Sequence, residues 1–348
     1  MTRPWVLHVD LDQFLAAVEV LRHPELVGKP LIVGGRGDPT ERAVVSTASY
    51  EAREFGVRSG MPLKTAVRKA PDAVLLPVDG PVYTAASDQV MSTLRGLDGA
   101  VVEVLGWDEA FVGIDTDDPL AFARHIQAEV LAATQLHCSV GIGDTKVRAK
   151  IATDFGKPQG TFRLTRDNWF EVMGDRPTDA IWGIGSRIKE RLLRLGIATV
   201  KDLASAPEAD LIREFGPRLG PHFSRLGRGV SSAHVDDTPW VARAHGRETT
   251  YQQNLTEPEE IASAIRALAD QVVEDIRRED RPCMRVHLKV RFAPFFTFSR
   301  IKKLPEPTFD AATIAATALE LLHKLEDDRP IRLLGVRAEM VPPEDGYT

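Results

Sequence analysis

The chain has 348 residues, 43% of them hydrophobic and 27% charged, a composition typical of a soluble globular protein with two or more domains. No run of 18 uncharged apolar residues occurs, and the first residues contain no apolar stretch followed by a small-residue cleavage site, which argues against a membrane protein and against a secreted one. The two cysteines, Cys138 and Cys283, lie far apart. They indicate a reducing cytoplasm without a disulfide framework and offer no zinc-ligand spacing.

Charge is unevenly distributed along the chain. The formal net charge is −6, which taken alone counts against nucleic-acid binding, because contacts to phosphates need lysine and arginine. Between residues 281 and 303, however, seven lysine or arginine residues occur without a single acidic one. Their clustering predicts a local basic surface that the acidic remainder of the chain does not cancel.

The first half of the chain alternates strand-like and helix-like segments. In chain order, the hydrophobic patterns predict strands at 5–9, 31–33, 43–47, 73–76, 101–105, 110–114 and 137–142, and helices at 12–21, 50–55, 62–69, 82–97, 119–134 and 146–154. Asp12 is the expected N-cap of the first helix. This alternation, with antiparallel neighbours, predicts an α+β fold.

The pattern changes in the second half of the chain. Short helices separated by glycines are expected from 168 to 229, and the polar segment 231–240 has the composition of a linker. A strand at 248–251, a helix at 257–277, strands at 285–292 and 295–303, a helix at 311–325 and a strand at 331–340 then follow. This βαββαβ order predicts a ferredoxin-like domain.

Three acidic residues stand at predicted strand ends. Asp10 ends the first strand, and Asp108 and Glu109 lie at the turn between two later strands. Carboxylates at the ends of neighbouring strands point into one cleft, where they repel one another unless cations neutralise them. Magnesium prefers such oxygen ligands, and two ions about 4 Å apart can clamp the attacking and leaving oxygens of an in-line displacement. Solvated carboxylates without a function are the alternative at this point.

Four motifs, in order along the chain, resemble those of Y-family DNA polymerases of the DinB type. They read VDLDQF at 9–14, SYEAREFGV with GMP at 49–62, WDEAF at 107–111, and SVGIG, AKIA and KPQG between 139 and 160. The resemblance covers essentially the whole chain. Because four motifs occur in sequence with fitting gaps, the resemblance favours a metal site over solvated carboxylates.

The resemblance implies how the metal ions would be held. Asp10, Asp108 and the main-chain carbonyl of Leu11 would bind the magnesium ion that accompanies the nucleotide. The carboxylates of Asp10, Asp108 and Glu109 would bind a second magnesium ion at the primer 3′ hydroxyl. Mn²⁺ is expected to substitute for Mg²⁺ at both positions.

The resemblance also assigns the nucleotide contacts. The residues expected to bind the triphosphate are Thr47, Tyr50, Arg53 and Lys157. Cationic side chains suit this task, because catalysis of phosphoryl transfer is mostly positioning and charge stabilisation. At Leu15 the family usually has Phe or Tyr, whose ring lies beneath the incoming sugar. The shorter leucine predicts a weak sugar gate and incorporation of ribonucleotides, although periodicity alone would make Leu15 a core residue.

The implied architecture is a right-handed polymerase fold. Its parts are a palm (1–12 and 79–166), fingers (13–78), a helix-hairpin-helix thumb (167–230), a linker (231–241), a ferredoxin-like little finger (242–341) and a tail (342–348). The implied reaction is template-directed transfer of a nucleotide from a deoxynucleoside triphosphate to a primer 3′ hydroxyl, in translesion synthesis. Short fingers and small residues around the template pocket predict low fidelity; these residues are Gly34, Gly35, Ser46 and Gly60.

Two segments are expected to bind primer–template DNA. The sequence WGIG at 182–185 resembles a helix-hairpin-helix, in which Gly183 and Gly185 would let backbone N–H groups approach a phosphate; a plain turn between packed helices is the alternative. Basic and apolar residues alternate in 285–292, which places the basic ones on one sheet face, and the next strand is expected to extend that face. The predicted contacts are Arg285, Lys289, Arg291, Arg300, Lys302 and Lys303.

Two other functions remain alternatives. A catalytically inactive relative acting as a scaffold at damaged DNA would have lost one of the acidic residues, and a nucleotide cyclase would lack the thumb and the basic C-terminal domain. The protein is expected to act as a monomer. Residues 342–348 contain neither a glutamine nor a Leu-Phe pair, so we expect no C-terminal peptide that binds a sliding clamp.

Overall fold

The structure is a computed structural model that describes residues 3–344 and 346–347. Its helices and strands are, in chain order, β1 (Arg3–Leu11), α1 (Phe14–Arg22), β2 (Leu31–Val33), β3 (Thr47–Ala48), α2 (Tyr50–Glu54), α3 (Leu63–Lys69), β4 (Val74–Leu76), α4 (Gly80–Arg95), β5 (Val101–Val104), β6 (Glu109–Thr116), α5 (Pro119–Thr134), β7 (Cys138–Gly143), α6 (Lys146–Gly156), β8 (Thr161–Leu164), α7 (Trp169–Met173), α8 (Ser186–Arg194), α9 (Val200–Ser205), α10 (Glu208–Gly227), β9 (Ala244–Leu255), α11 (Pro258–Arg278), β10 (Cys283–Phe292), β11 (Phe296–Thr308), α12 (Ala311–His323) and β12 (Ile331–Met340). None of the helices in these described residues is long and apolar enough to cross a membrane.

The chain packs as two compact units. The first comprises the described residues up to 38 together with 43–237, and the second comprises 39–42 and the described residues from 238 onward. The first unit contains a five-stranded sheet in the order β5-β6-β1-β7-β8 and a small sheet in the order β3-β2-β4. Strand β1 lies at the centre of the larger sheet and is antiparallel to both β6 and β7. Trp5, Leu7, Val9 and Leu11 of this strand pack in the main core with residues of α4 and α5.

A glycine in β7 sets the distance between this sheet and helix α6. A Cβ atom on Gly141 would lie 2.0 Å from the carbonyl oxygen of Ala149 and 2.4 Å from the backbone nitrogen of Thr153. Only glycine therefore allows the backbone of α6 to pack this closely on the sheet. The close approach brings Lys150 and Thr153 of α6 next to β1 and β6.

Helices α7 to α10 share a core centred on Trp169, with Leu192, Leu203 and Phe223 among its buried members. Sequence patterning predicted only short helices in this region. Helix α10 spans 20 residues but is interrupted at Gly216, whose φ of 86° is not helical, so its two arms are short, as predicted. The left-handed backbone of this glycine lets the chain change direction without a side-chain clash.

The second unit has a four-stranded antiparallel sheet in the order β11-β10-β12-β9. Its apolar face packs against α11 and α12, and the core includes Val286, Leu288, Ile265 and Ile314. The βαββαβ order predicted from the sequence is confirmed, as is the α+β fold class. The boundaries of palm, fingers, thumb and little finger stay predictions.

Three local predictions were wrong. Strand β8 was missed, because its pairing with β7 at the edge of the sheet is a tertiary contact. In the segment predicted as a strand at 43–47, regular pairing begins only at Thr47. Asp12 does not cap α1: Gln13 holds the cap position with a left-handed φ of 45° and gives no side-chain cap bond, because the Asp12 carboxylate has other partners, described below.

Candidate active site

The three predicted acidic residues lie at one end of the β1–β6 pair. Asp10 and Glu109 are directly opposite each other in the strand register, and the N–H of Leu11 donates to the carbonyl oxygen of Asp108 at 2.8 Å. The side chains of Asp10 and Glu109 are 18% and 26% exposed, so both are partly accessible to solvent. The antiparallel register thus brings acidic residues that lie far apart in the sequence together at one end of the sheet.

A buried histidine joins this cluster. Among the described residues, His8, Asp10 and Glu109 each offer one ligand atom within 4.8 Å of the others; Asp108 is not part of this trio. His8 precedes Asp10 by two positions and therefore lies on the same face of β1. Its Nε2 is 3.1 Å from Glu109 Oε2, and its Nδ1 is 2.8 Å from Thr153 Oγ1. Sequence reasoning missed His8, although the period of two was the signal that could have found it.

Two lysines neutralise the carboxylates. Lys157, which follows α6, lies with its Nζ 2.8 Å from Asp10 Oδ1. Lys150 donates a hydrogen bond to Glu109 Oε2, and its Nζ is 3.2 Å from His8 Nε2. Lys157 was predicted as a site residue, but as a triphosphate ligand. Lys150 was seen only as part of a motif, because its contact depends on the packing of α6.

The protonation equilibria of the site reflect these contacts. The hydrogen bond to His8, together with Lys150, outweighs burial and lowers the pKa of Glu109 to about 2. Burial raises the pKa of Asp108, and the charges of Asp10 and Glu109 raise it further. Burial alone would lower the pKa of Lys157, but the Asp10 carboxylate outweighs burial and raises it. The acidic end of the sheet is therefore a place where positive charge is strongly favoured.

The predicted triphosphate residues of the fingers lie around α2. The guanidinium carbon of Arg53 is 4.9 Å from the centroid of the Tyr50 ring, within cation–π range, and Arg53 Nε donates to the carbonyl of Ala48 at 2.9 Å. Thr47 is half-buried in β3. The structure thus groups Tyr50 and Arg53 on a single helical turn, with Thr47 just before that turn.

Asp12 connects β1 to this helix. It is buried, and its carboxylate accepts hydrogen bonds from the hydroxyl of Tyr50 (2.6 Å), the hydroxyl of Ser139 (3.0 Å) and the N–H of Gln159 (2.9 Å). The side chain of Gln13 accepts from the N–H of Tyr50 at 2.6 Å. Asp12 and Gln13 therefore orient Tyr50, a role that was missed because its three donors come from distant parts of the sequence.

Leu15 lies in the first turn of α1 and is only 7% exposed. It belongs to the main core of the first unit, together with Phe14 and Val18. The ring of Phe14 packs edge-on against Tyr83, with the ring centroids 6.5 Å apart. The sugar-gate assignment of Leu15 stays a prediction.

The glycine hairpin precedes helix α8. Gly183 has a φ of 97°, a conformation that other residues rarely adopt, and Gly185 is the N-cap residue of α8. A Cβ atom on Gly185 would meet no atom within 4 Å, so its backbone faces open space. A DNA phosphate could approach here, and the contact itself stays a prediction.

In the second unit, the alternation predicted for β10 is present. Val286, Leu288 and Val290 are buried, while Arg285 and Lys289 between them are half-exposed on the opposite face. That face also carries acids from two other strands of the sheet. Arg285 pairs with a glutamate of β12, Glu339, and Lys289 with a glutamate of β9, Glu248. These ion pairs partly neutralise the basic surface. Arg291 adds a further positive charge to this surface, and its Nε donates a hydrogen bond to the hydroxyl of Thr297.

The register of the next strand divides the remaining basic residues. Lys303 is opposite Arg285 and lies on the same face. Arg300 is opposite Leu288 and Lys302 is opposite Val286, so both lie on the core side, where Lys302 pairs with a glutamate of α12. The prediction that the whole strand extends the basic face was wrong for Arg300 and Lys302. The short turn between β10 and β11 sets this phase, and side chains alternate strictly along a strand.

Comparison with known proteins agrees with this geometry. Residues 9–154 match the model of the impB/mucB/samB family and residues 242–347 that of the impB/mucB/samB family C-terminal domain. DNA polymerase IV 2 of Mycobacterium tuberculosis (strain ATCC 25618 / H37Rv) is 47% identical over 340 residues, which cover 97% of this chain and 98% of that protein.

Solved structures of polymerases share the fold. The Y-family DNA polymerase chimera Dbh-Dpo4(243-245)-Dbh has a TM-score of 0.84 and 27% identity, covering 97% of this chain and 99% of that chain. The insertion ternary complex of Dbh DNA polymerase has a TM-score of 0.64 and 28% identity, covering 97% and 98%. The chain therefore belongs to the impB/mucB/samB family and is a DinB-like, Y-family DNA-directed DNA polymerase of the translesion type.

Proposed function

We propose that the protein extends a DNA primer by two-metal nucleotidyl transfer, with Asp10, Asp108 and Glu109 as the metal-binding carboxylates. The observation that carries this proposal is the register of β1 and β6, which sets Asp10 opposite Glu109 with Asp108 next in the chain. The carbonyl of Leu11 adds one neutral oxygen. Carboxylate and carbonyl oxygens suit Mg²⁺, and Mn²⁺ accepts the same donors.

The charges of the site support this assignment. Burial and the neighbouring carboxylates raise the pKa of Asp108, and ammonium groups already pair with Asp10 and Glu109. A divalent cation would relieve the same repulsion more fully. When bound, the two ions would stabilise the charge that develops on the transferring phosphoryl group and on the 3′ oxygen. His8 is engaged by Glu109 and Thr153, so its part is to orient the Glu109 carboxylate.

The cationic side chains would bind the triphosphate. Lys157 can leave Asp10 for a phosphate oxygen, because its side chain is long and 26% exposed. Arg53 and Tyr50 of α2 and Thr47 of β3 would supply the other contacts to the triphosphate. Asp12 would hold the Tyr50 hydroxyl in place for this contact. These groups bind and position the triphosphate and help to neutralise its charge.

The absence of an aromatic ring at Leu15 supports tolerance of ribonucleotides. An apolar pocket that merely accommodates an extra hydroxyl rejects it weakly, by roughly a hundredfold or less. The neighbouring Phe14 cannot easily replace the missing ring, because it is buried against Tyr83. Leu15 therefore leaves the space for a 2′ hydroxyl without a rigid barrier.

Fewer of the small residues around the expected template pocket support low fidelity than the sequence suggested. Added Cβ atoms would collide with the carbonyl of Val44 at Gly34 and with the Cβ of Ala43 at Gly35. These two glycines are thus required by close packing of the chain. A Cβ on Gly60 would meet no atom within 4 Å. Only Gly60 of these glycines keeps open space that could accommodate an altered template base.

Binding of primer–template DNA is proposed at the hairpin of Gly183 and Gly185 and at the β10 face, which carries Arg285, Lys289, Arg291 and Lys303. The protein is proposed to act as a monomer and to bind no sliding clamp through 342–348; within that tail Asp345 and Thr348 lie outside the described residues. Deleting 342–348 should leave extension in the presence of a clamp unchanged. Loss of clamp binding in a pull-down of the truncated protein would contradict this.

Primer extension with Mg²⁺ tests the central proposal. Asp108→Ala and Glu109→Ala should each abolish extension while duplex affinity, measured by fluorescence anisotropy, stays near that of the wild type. Asp115→Ala is the matched control, since Asp115 is an exposed acid further along β6 and should extend normally. Robust extension by Asp108→Ala would refute the site. A wild type that binds the duplex but never extends it would favour the inactive scaffold.

A further inference from the structure

The Lys150 ammonium lies between two partners of different chemistry. On one side it donates to Glu109 Oε2 and lies 3.2 Å from His8 Nε2. On the other side its Nζ is 5.4 Å from the ring centroid of Trp182, within the range of about 6 Å for a cation–π contact. The lysine side chain is 18% exposed. One ammonium therefore touches both a carboxylate and the face of an indole.

Trp182 is partly exposed and packs against one buried aromatic ring. It is 46% exposed, and its ring meets the buried ring of Phe111 edge-on, with the centroids 6.3 Å apart. Gly183, with its φ of 97°, turns the chain directly after it. Phe111 also packs against His8 at 5.2 Å. The indole thus packs on a ring of β6, the strand that also carries Glu109.

The surroundings of Lys150 leave room for its side chain to move. An open cleft of about 480 Å³ runs between α6, with Lys150 and Asp154, and the chain segment 179–185. A lysine side chain has four flexible carbon–carbon bonds and carries a compact charge. The ammonium can therefore leave the carboxylate while it stays over the indole face.

We infer that Lys150 is the resident counter-ion of Glu109, and that Trp182 is a positioning residue that retains the Lys150 ammonium when a divalent cation binds Glu109. A divalent cation and an ammonium cannot share one carboxylate oxygen without strong repulsion. The indole offers a neutral surface that stabilises a cation and carries no charge of its own. Binding of a divalent cation at Glu109 requires the Lys150 ammonium to leave the carboxylate, and breaking this ion pair costs free energy. Trp182 lowers that cost, because its indole stabilises the displaced ammonium. This inference rests on the metal role proposed above for Glu109.

The two residues should have opposite effects on metal affinity. Lys150→Gln removes the competing cation, so Mn²⁺ should bind the DNA-free protein more tightly, with a Kd at least about threefold lower. Trp182→Ala removes the alternative position of the ammonium, so the Kd should rise about two- to fivefold. Trp182→Phe keeps a ring and should lie between Trp182→Ala and the wild type. In a Lys150→Gln background, Trp182→Ala should change nothing.

The experiment is a Mn²⁺ titration of the DNA-free, full-length variants, with free Mn²⁺ measured by electron paramagnetic resonance. Trp240→Phe is the control for replacing an exposed tryptophan, since Trp240 is 83% exposed, and it should bind like the wild type. A purely structural role would make both Lys150→Gln and Trp182→Ala bind more weakly. That outcome, or an equal effect of Trp182→Ala with and without Lys150, would overturn the inference.

Glu109→Gln separates this test from the function on which it rests. If Glu109→Gln does not weaken Mn²⁺ binding, the proposed metal site itself is wrong. If Glu109→Gln weakens binding while Lys150→Gln fails to tighten it, the metal site stands and only the counter-ion inference is wrong.

Discussion

Replacing Leu15 with phenylalanine distinguishes a sugar gate from a core residue. Leu15 is 7% exposed and packs in the main core of the first unit. The larger ring must therefore either displace its core neighbours or enter the proposed space beneath the incoming sugar. Overpacking a filled core lowers the free energy of unfolding by about 1–3 kcal/mol. A ring in the sugar space would instead block a 2′ hydroxyl.

The assay compares kcat/KM for a ribonucleotide and for its deoxy counterpart, in the wild type and in Leu15→Phe. A gate should increase the preference for the deoxynucleotide at least tenfold, which corresponds to about 1.4 kcal/mol of transition-state free energy. Val18→Phe is the matched control, because Val18 is buried one helical turn further along α1. It should lose stability, measured by urea unfolding, without any change in sugar preference.

Two results would refute this reasoning. In the first, Leu15→Phe behaves like Val18→Phe, with lower stability and an unchanged sugar preference, which makes Leu15 a core residue only. In the second, the wild type already rejects ribonucleotides by roughly a thousandfold or more, which an apolar side chain of this size cannot achieve by itself.

Three further predictions follow from the geometry. Gly141→Ala should destabilise the fold by more than about 3 kcal/mol in urea unfolding, because its Cβ would collide with the α6 backbone, whereas Gly80→Ala, with open space at this position, should be nearly neutral. Lys303→Ala should weaken duplex binding and reduce the salt slope by about one, whereas Lys302→Ala, on the opposite face of the sheet, should leave both unchanged. The pKa of Glu109 is lowered from an ordinary 4.5 to about 2, so its ionised carboxylate stabilises the fold above the ordinary pKa, and this contribution is lost as the pH falls toward 2. The difference in unfolding free energy between wild type and Glu109→Gln should therefore be larger at about pH 5 than at about pH 3. A difference that does not shrink in acid would contradict the assigned cause.

Local sequence patterns were sufficient for much of the fold. The βαββαβ order of the second unit follows from alternation and helical periodicity, because each element buries one face against a single core. Asp10, Asp108 and Glu109 could be singled out for a similar reason. Strand ends and tight turns are local features, and the acids stand at such positions within motifs whose spacing resembles that of a known family.

Only the tertiary structure decided which groups meet. Asp12 has the local sequence signature of a helix cap. In the structure it is buried instead and accepts hydrogen bonds from three distant donors, one of them the Tyr50 hydroxyl. Lys150 reaches Glu109 because Gly141 lets α6 pack closely on the sheet. Arg300 and Lys302 lie on the core side of their strand because the β10–β11 register places them there. Composition and periodicity describe one segment at a time, whereas register and packing distance are properties of pairs of segments, and the active site is assembled from such pairs.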